Sequence, residues 1–332
     1  MVAQFGLSSR SVYLWTLPMF HCNGWTFPWA VTAVGGTHIC LRKVDPAAVV
    51  DWIRRTGVTN MCAAPTVLIS LANDAPFKAM HMAHRLVIGT GGAPPSPTII
   101  RTIEGLGAEL VHVYGLTETY GPFTVCEWHP EWNAHAEEQR ARLKSLQGVA
   151  HVTAGELRVV DEAMRDVPAD GKTIGEIVMR GNAVMTGYYE QPEATAQAFR
   201  GGWFHSGDLA VHHENGYIEI RDRGKDIIIS GGENISTVEV EKTLCEHPAV
   251  MEVAVIGIPD DKWGEVPKAF VTLKPAATAT ADDLIRFCRD RIAHFKCPKS
   301  VVFADLPKTS TGKIQKFVLR EAEWKGRKKR VN

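Results

Sequence analysis

The sequence predicts an α/β protein: a parallel sheet with a small β-rich subdomain behind it, followed by a compact α+β domain. Three observations carry this. Residues 12–123 alternate short apolar runs with helical stretches, as strands joined by crossover helices do. From about 146 to 222 the runs shorten and are separated by Gly, Asp and Pro turns. Beyond that, strands and amphipathic helices mix. The chain of 332 residues has room for more than one domain, and the expected divisions are 1–145, 146–224 and 225–332.

Taken in order, residues 12–17, 59–63, 86–89 and 109–113 read as buried strands, and 46–56, 65–72 and 96–104 as helices. Strands are expected at 156–160, 175–179 and 217–220. Ser236 and Glu239 have the spacing of a capping box opening a helix that runs to about Glu246, where Pro248 stops it. Residues 253–258 and 269–273 read as strands. Leu284, Phe287, Cys288 and Ile292 recur at helical spacing after Thr280. No internal repeat or low-complexity tract is visible.

A hydrophobic content of 45% and a charged content of 22% place the chain with ordinary globular proteins. Its 37 basic residues equal its 37 acidic ones, so nothing draws it broadly to nucleic acid or an anionic membrane. The basic run at 325–330 reads as a solvated tail. The seven cysteines are scattered without a Cys-x-x-Cys pair, the usage of free thiols in a reducing compartment. No apolar run of about 18 residues suggests a membrane span, and residues 1–6 do not resemble a signal peptide. The expectation is a soluble cytoplasmic protein.

Four segments carry chemistry. Residues 307–313 (Pro-Lys-Thr-Ser-Thr-Gly-Lys) present Lys313 on a polar loop, where an ammonium can meet negative charge as it develops on a transferring phosphoryl group. Equally, a lysine on such a turn can be merely solvated. The segment is not a Walker loop, because the glycine needed five residues before Gly312 is Pro307. Residues 114–119 offer a ring at Tyr114, a hydroxyl at Thr117 and a carboxylate at Glu118, a residue suited to a hard cation; the same residues also suit a turn and a helix cap. Asp208 follows a glycine and can accept bonds from a diol, or cap a turn. Residues 221–226 (Arg-Asp-Arg-Gly-Lys-Asp) form a charge cluster holding Arg223 and Lys225, which on its own reads as a surface run. Ser230, Gly231 and Gly232 come just before the capped helix, and glycines there let a slender chain pass close to backbone; the alternative is a plain loop.

In this order and at these separations, from about Tyr13 to Leu319, the segments resemble the adenylate-forming superfamily, specifically its AMP-forming acyl-CoA synthetases. The resemblance implies ATP or AMP, Mg²⁺ and coenzyme A as cofactors and a small carboxylic acid as substrate. It implies Lys313 as the lysine of adenylation, Thr117 at the α-phosphate and Glu118 at Mg²⁺. It sets Gly91, Gly92, Ala93, Tyr114 and Gly115 around adenine, Asp208 on the ribose, and Ile220 and Arg223 beside them. Lys225 becomes a hinge, and Ser230, Gly231 and Gly232 line the pantetheine route. His21 and Trp25 would wall an acyl pocket opposite Tyr120 and Gly121, although a histidine among Phe20, Cys22 and Trp25 is also ordinary core. Bulky Trp and Tyr there suggest a short or medium acyl group or an aryl acid.

One family segment is missing. The Thr/Ser- and Gly-rich loop ending in Lys-Gly, which grips the β- and γ-phosphates, lies well upstream in the family and has no counterpart here. The chain therefore reads as the C-terminal portion of a synthetase. Two other readings stay open: a remnant that binds nucleotide or CoA without turnover, and an adenylating domain that loads a carrier-protein thiol.

Overall fold

The computed structural model describes residues 1–92, 95, 97–309 and 312–325. Ala93, part of the expected adenine platform, lies outside them, as do Ser310 and Thr311 of the lysine loop and all of the basic run beyond Lys325. The chain divides into two compact units. One comprises residues 1–206 and 210–220, the other 207–209 and 221–332.

The first unit is built on the expected parallel sheet. Strands β1 (Val12–Trp15), β2 (Thr37–Cys40), β3 (Asn60–Ala63), β4 (Val87–Thr90) and β5 (Glu109–Leu116) run parallel in the order β2-β1-β3-β4-β5. The sheet continues antiparallel through β6 (Gly121–Val125) and β7 (Val149–Ala150). β3 and β4 are buried along their whole length, and Asn60 and Thr90 are their only polar residues, which is why they read as short, mostly apolar runs. One face packs Leu14, Met61, Ile88 and Leu110 against the helices; the other packs Tyr13, Cys62, Val87 and Val111 beneath Phe5 and Phe27.

Local signals explain the helix boundaries. Pro46–Thr56 starts where the Asp45 side chain accepts from the Ala48 N–H and stops at Gly57 in a left-handed conformation. Strand β2 and the helix Phe27–Ala33 were not anticipated. Four short strands form a second sheet: β8 (Glu156–Val160), β9 (Ile174–Arg180), β10 (Phe204–His212) and β11 (Ile218–Arg223), in the order β11-β10-β9-β8.

The second unit holds β12 (Ile228–Ser230), β13 (Glu233–Ile235), β14 (Val250–Asp260), β15 (Gly264–Leu273) and β16 (Ser300–Phe303), with β14 and β15 paired over nearly their whole length. Helices Thr237–Cys245 and Ala281–Arg289 cover one face through Val240, Leu244, Leu284 and Cys288. Only half of the expected capping box forms at Ser236: its hydroxyl accepts from the Glu239 N–H, while the Glu239 carboxylate turns to Lys296 at 2.8 Å. A complete box forms instead at Thr280 and Asp283. A last helix, Lys316–Trp324, was not expected. No described helix is long and apolar enough to cross a membrane.

Candidate active site

In the first unit, the expected nucleotide motif sits where a parallel strand ends. β5 carries Tyr114, Gly115 and Leu116 and pairs with β6, with a bulge between Tyr114 and Gly115. Bulges re-aim the side chains that follow, here Thr117, Glu118 and Thr119 on a single 3₁₀ turn. The buried Thr119 hydroxyl locks that turn: it accepts from the Leu116 N–H at 3.0 Å and donates to the Gly121 carbonyl at 3.0 Å. Thr117 is exposed and Glu118 half-buried. The Glu118 carboxylate accepts from the Tyr188 hydroxyl at 3.1 Å, and its carbonyl accepts from the Met185 N–H at 2.7 Å. Burial and then the adjacent carboxylate push the Tyr188 phenol up. Tyr188 was not anticipated as the partner of Glu118; no local pattern signals a contact between residues so far apart in sequence.

The expected pocket segment lies against this motif. Cys22 Sγ is 3.4 Å from Thr117 Oγ1. A Cβ on Gly121 would stand 3.3 Å from Trp25 Cα, and one on Gly91 would stand 2.6 Å from the Val113 carbonyl oxygen and 3.2 Å from the Trp25 ring. Trp25 is thus wedged between Gly91 and Gly121, buried, while Gly92 is exposed beside it. His21 is half-buried at the start of the segment, and Tyr120 is exposed next to the Trp29 ring, 6.1 Å between centroids. Residues Cys22, Asn23, Gly24, Trp25 and Thr26 all have positive φ, from 40° to 70°, so the backbone makes one left-handed turn. For residues other than glycine this costs roughly 1–2 kcal/mol each, and such strain is concentrated at functional sites. Ile220 closes this part: its N–H donates to Gln147 Oε1 at 2.5 Å.

In the second unit, Asp208, Arg223, Lys225 and Lys313 come together. Asp208 lies inside strand β10 instead of capping a turn, and is buried. Arg223 Nε donates to Asp208 Oδ1 at 3.2 Å, and the Gly224 N–H donates to the Gly207 carbonyl at 2.9 Å. The cluster at 221–226 is not a surface run: Asp222 and Asp226 are buried, Asp226 in an ion pair with Arg320. Lys313 is exposed, yet desolvation around its ammonium, and then Arg223, lower its pKa; Asp208 pulls it back up, Lys225 adds to the lowering, and Asp226 opposes it. A lysine that feels two cations and two carboxylates, with its own charge disfavoured, suits a site that receives an anion.

Ser230, Gly231 and Gly232 do not form a plain loop. β12 and β13 make a hairpin in which Ser230 faces Glu233, and Gly231 and Gly232, at φ of 60° and 89°, form its two-residue turn. Gly231 lies beneath the Trp263 ring, which a Cβ would meet at 2.6 Å, whereas Gly232 has open space around it.

Among the described residues no cluster of three or more His, Cys, Asp or Glu could hold a metal. Glu118 by itself fits a hard ion that takes its other ligands from phosphate and water. A cavity of about 630 Å³ elsewhere, lined by Arg85, Glu104, Glu109, Trp128 and Lys144, contains none of these residues, and four of its charges pair with one another.

The sequence profile of the AMP-binding enzymes matches residues 1–189, and that of the AMP-binding enzyme C-terminal domain matches residues 239–313. An acetate–CoA ligase of Humulus lupulus is 53% identical over 323 residues, covering 95% of this chain and 57% of the relative. A 4-hydroxybutyrate–CoA ligase of Metallosphaera sedula is 49% identical over 330 residues, covering 99% and 60%. The ATP-bound MatB crystal structure from Rhodopseudomonas palustris superposes with a TM-score of 0.85 at 31% identity, covering 98% of this chain and 62% of that one. An anthranilate–CoA ligase in complex with anthranoyl-AMP gives 0.83 at 28%, covering 97% and 61%. The chain thus spans about three fifths of the length of the curated relatives it matches. A profile matching more than half of the chain, followed by that of the C-terminal domain and joined by a relative 53% identical over 95% of the chain, establishes that this chain belongs to the AMP-binding enzyme family.

Proposed function

We propose that the protein containing this chain activates a short carboxylic acid with ATP and transfers the acyl group to coenzyme A. In the first step a carboxylate oxygen attacks the α-phosphorus and the bond to the pyrophosphate oxygen breaks, giving acyl-AMP. In the second the CoA sulfur attacks the acyl carbon, the C–O bond to AMP breaks, and the thiol proton is released. The observation that carries the reading is the gathering of Lys313, Arg223 and Asp208 in one unit. The carboxylate suits a ribose diol and the two cations a phosphate, and Lys313 in particular meets the charge that grows on the α-phosphate. Tyr114 and the Gly91–Gly92 backbone would take the base, and Thr117 the α-phosphate oxygen. Glu118, held by Tyr188, would take Mg²⁺, which screens phosphate charge when bound. Lys225, exposed just after Arg223, is the proposed pivot between the two half-reactions, and Gly232 the backbone beside which pantetheine passes.

The acid is inferred from the pocket wall and from the relatives, named for acetate and 4-hydroxybutyrate. Trp25, held in its left-handed turn, leaves no room on its Gly91 and Gly121 sides, which favours a short acyl chain. The test is pyrophosphate release with acids of two to ten carbons and with aryl acids. Turnover that requires a short acid supports the reading, and no acid-dependent release from the longest open reading frame containing this chain would end it.

A second reading concerns the 332-residue chain by itself: the Arg223–Asp208 pair and Lys313 suit a bound nucleotide with or without turnover, so this chain would bind nucleotide or CoA without turning over. Titration calorimetry with AMP and CoA separates the two: heat without pyrophosphate release supports the second, and turnover by the 332-residue chain removes it.

A further inference from the structure

The loop that presents Lys313 is fastened on both sides by carboxylates of the second unit. Its base is closed by the Thr309 N–H on the Lys313 carbonyl and the Gln315 N–H on the Pro307 carbonyl, both at 2.8 Å. On the incoming arm, Lys308 Nζ pairs with Glu252 Oε2 at 2.6 Å. On the outgoing side the helix Lys316–Trp324 begins, and Lys316 Nζ reaches Glu241 Oε1 at 2.6 Å and Thr237 Oγ1 at 2.8 Å.

From Lys316 an unbroken series of bonds runs to the Arg223–Asp208 pair. The Thr237 hydroxyl, with one hydrogen to give, accepts from Lys316 and donates to Asp222 Oδ1 at 3.1 Å. The Thr237 N–H donates to Asp222 Oδ2 at 2.5 Å. Asp222 Oδ1 also accepts the Arg223 N–H at 2.8 Å, and Arg223 Nε reaches Asp208 at 3.2 Å. Thr237 and Asp222 are fully buried. Burial opposes the Lys316 ammonium, but Glu241 and Asp222 prevail and hold its pKa above the ordinary lysine value. The same helix makes two further ion pairs, Arg320 to Asp226 and Glu323 to Lys268. Positions 316, 320 and 323 share one helical face, so the docking is directional as well as adhesive.

We infer that Lys316 is a positioning residue: through Thr237 and Asp222 it sets the Lys313 loop against the Arg223–Asp208 pair. The role assigned to Lys313 rests on the function proposed above, but the coupling can be read without turnover. The experiment is competitive labelling of the 332-residue chain with acetic anhydride across pH, with mass-spectrometric readout of Lys313 against exposed Lys43. Four proteins are compared: the unaltered chain, Lys316→Arg, Lys316→Met, and Lys316→Met with Glu241→Gln. The double variant removes one charge of each sign, so a through-space effect on Lys313 largely cancels, and a neutral pair in place of a buried ion pair is commonly tolerated.

In the unaltered chain and Lys316→Arg, Lys313 is expected to label in excess of Lys43 near pH 8, because crowding favours its free amine. In the double variant, with an unchanged urea midpoint, that excess is lost and the Lys313 pH profile moves up. An excess that survives in the folded double variant, or that Lys316→Arg does not preserve, overturns the inference. Pyrophosphate release has no part in this readout, so absent turnover counts against the proposed function alone.

Discussion

Replacing Gly115 by alanine tests whether the β5–β6 bulge builds the candidate site. A Cβ there would lie 1.8 Å from the Gly121 carbonyl oxygen, 2.7 Å from the Gly121 carbonyl carbon and 2.9 Å from the Phe123 nitrogen. All three are backbone atoms, so no rotamer change relieves the overlap; β6 must move by more than about an ångström to restore normal contact. Overpacking with easier neighbours costs about 1–3 kcal/mol, so the expected loss is about 3 kcal/mol, roughly a hundredfold in the folding equilibrium. The assay is urea unfolding followed by circular dichroism, with the midpoint falling at constant slope. Gly105→Ala is the control: Gly105 ends the helix Pro97–Gly105, and nothing lies within 4 Å of a Cβ added there. It should gain about 0.4–1 kcal/mol from the unfolded state. Gly115→Ala within about half a kcal/mol of the parent would show that the bulge yields easily and does not hold Thr117 and Glu118.

Asp208→Asn removes a charge that raises the Lys313 pKa, so Lys313 should become still easier to deprotonate and its acetylation profile should move to lower pH; a shift to higher pH would contradict the arrangement. Cys62, Cys126, Cys245 and Cys288, each pushed up to about 12 by burial first of all, should resist iodoacetamide at pH 8 while exposed Cys40 reacts. Comparable rates at all five thiols, read by peptide mass spectrometry, would show that these interiors are open.

The parallel sheet was legible because β3 and β4 are buried on both faces and so are written with little polar alternation, Asn60 and Thr90 apart. The helix Pro46–Thr56 was legible because Asp45, Pro46 and Gly57 mark its ends in the chain itself. The helix Lys316–Trp324 was not, because part of its buried face is Lys316, Arg320 and Glu323, whose partners lie far away in sequence; locally such residues look solvated. Ser236 announced its helix correctly, yet the Glu239 carboxylate found Lys296, a competition no local spacing reveals. For Asp208 the preceding glycine left a turn as open as a diol site, whereas the pairing of β10 makes it part of a strand. The gathering of Asp208 with Lys313, about a hundred residues apart, came from family resemblance; periodicity and composition carry no such information. Nor did the sequence reveal the conformation of 22–26, since Cys, Trp and Thr do not advertise positive φ.

That stretch has a consequence for anyone rebuilding this protein. Mirror-image backbone sends its side chains off in the opposite rotational sense from an ordinary helical turn. Copying Cys22 and Trp25 onto a right-handed scaffold would therefore aim the indole away from Gly91, which receives it. Whatever selectivity this wall confers travels with the handedness of five consecutive residues, and a graft has to carry the whole segment.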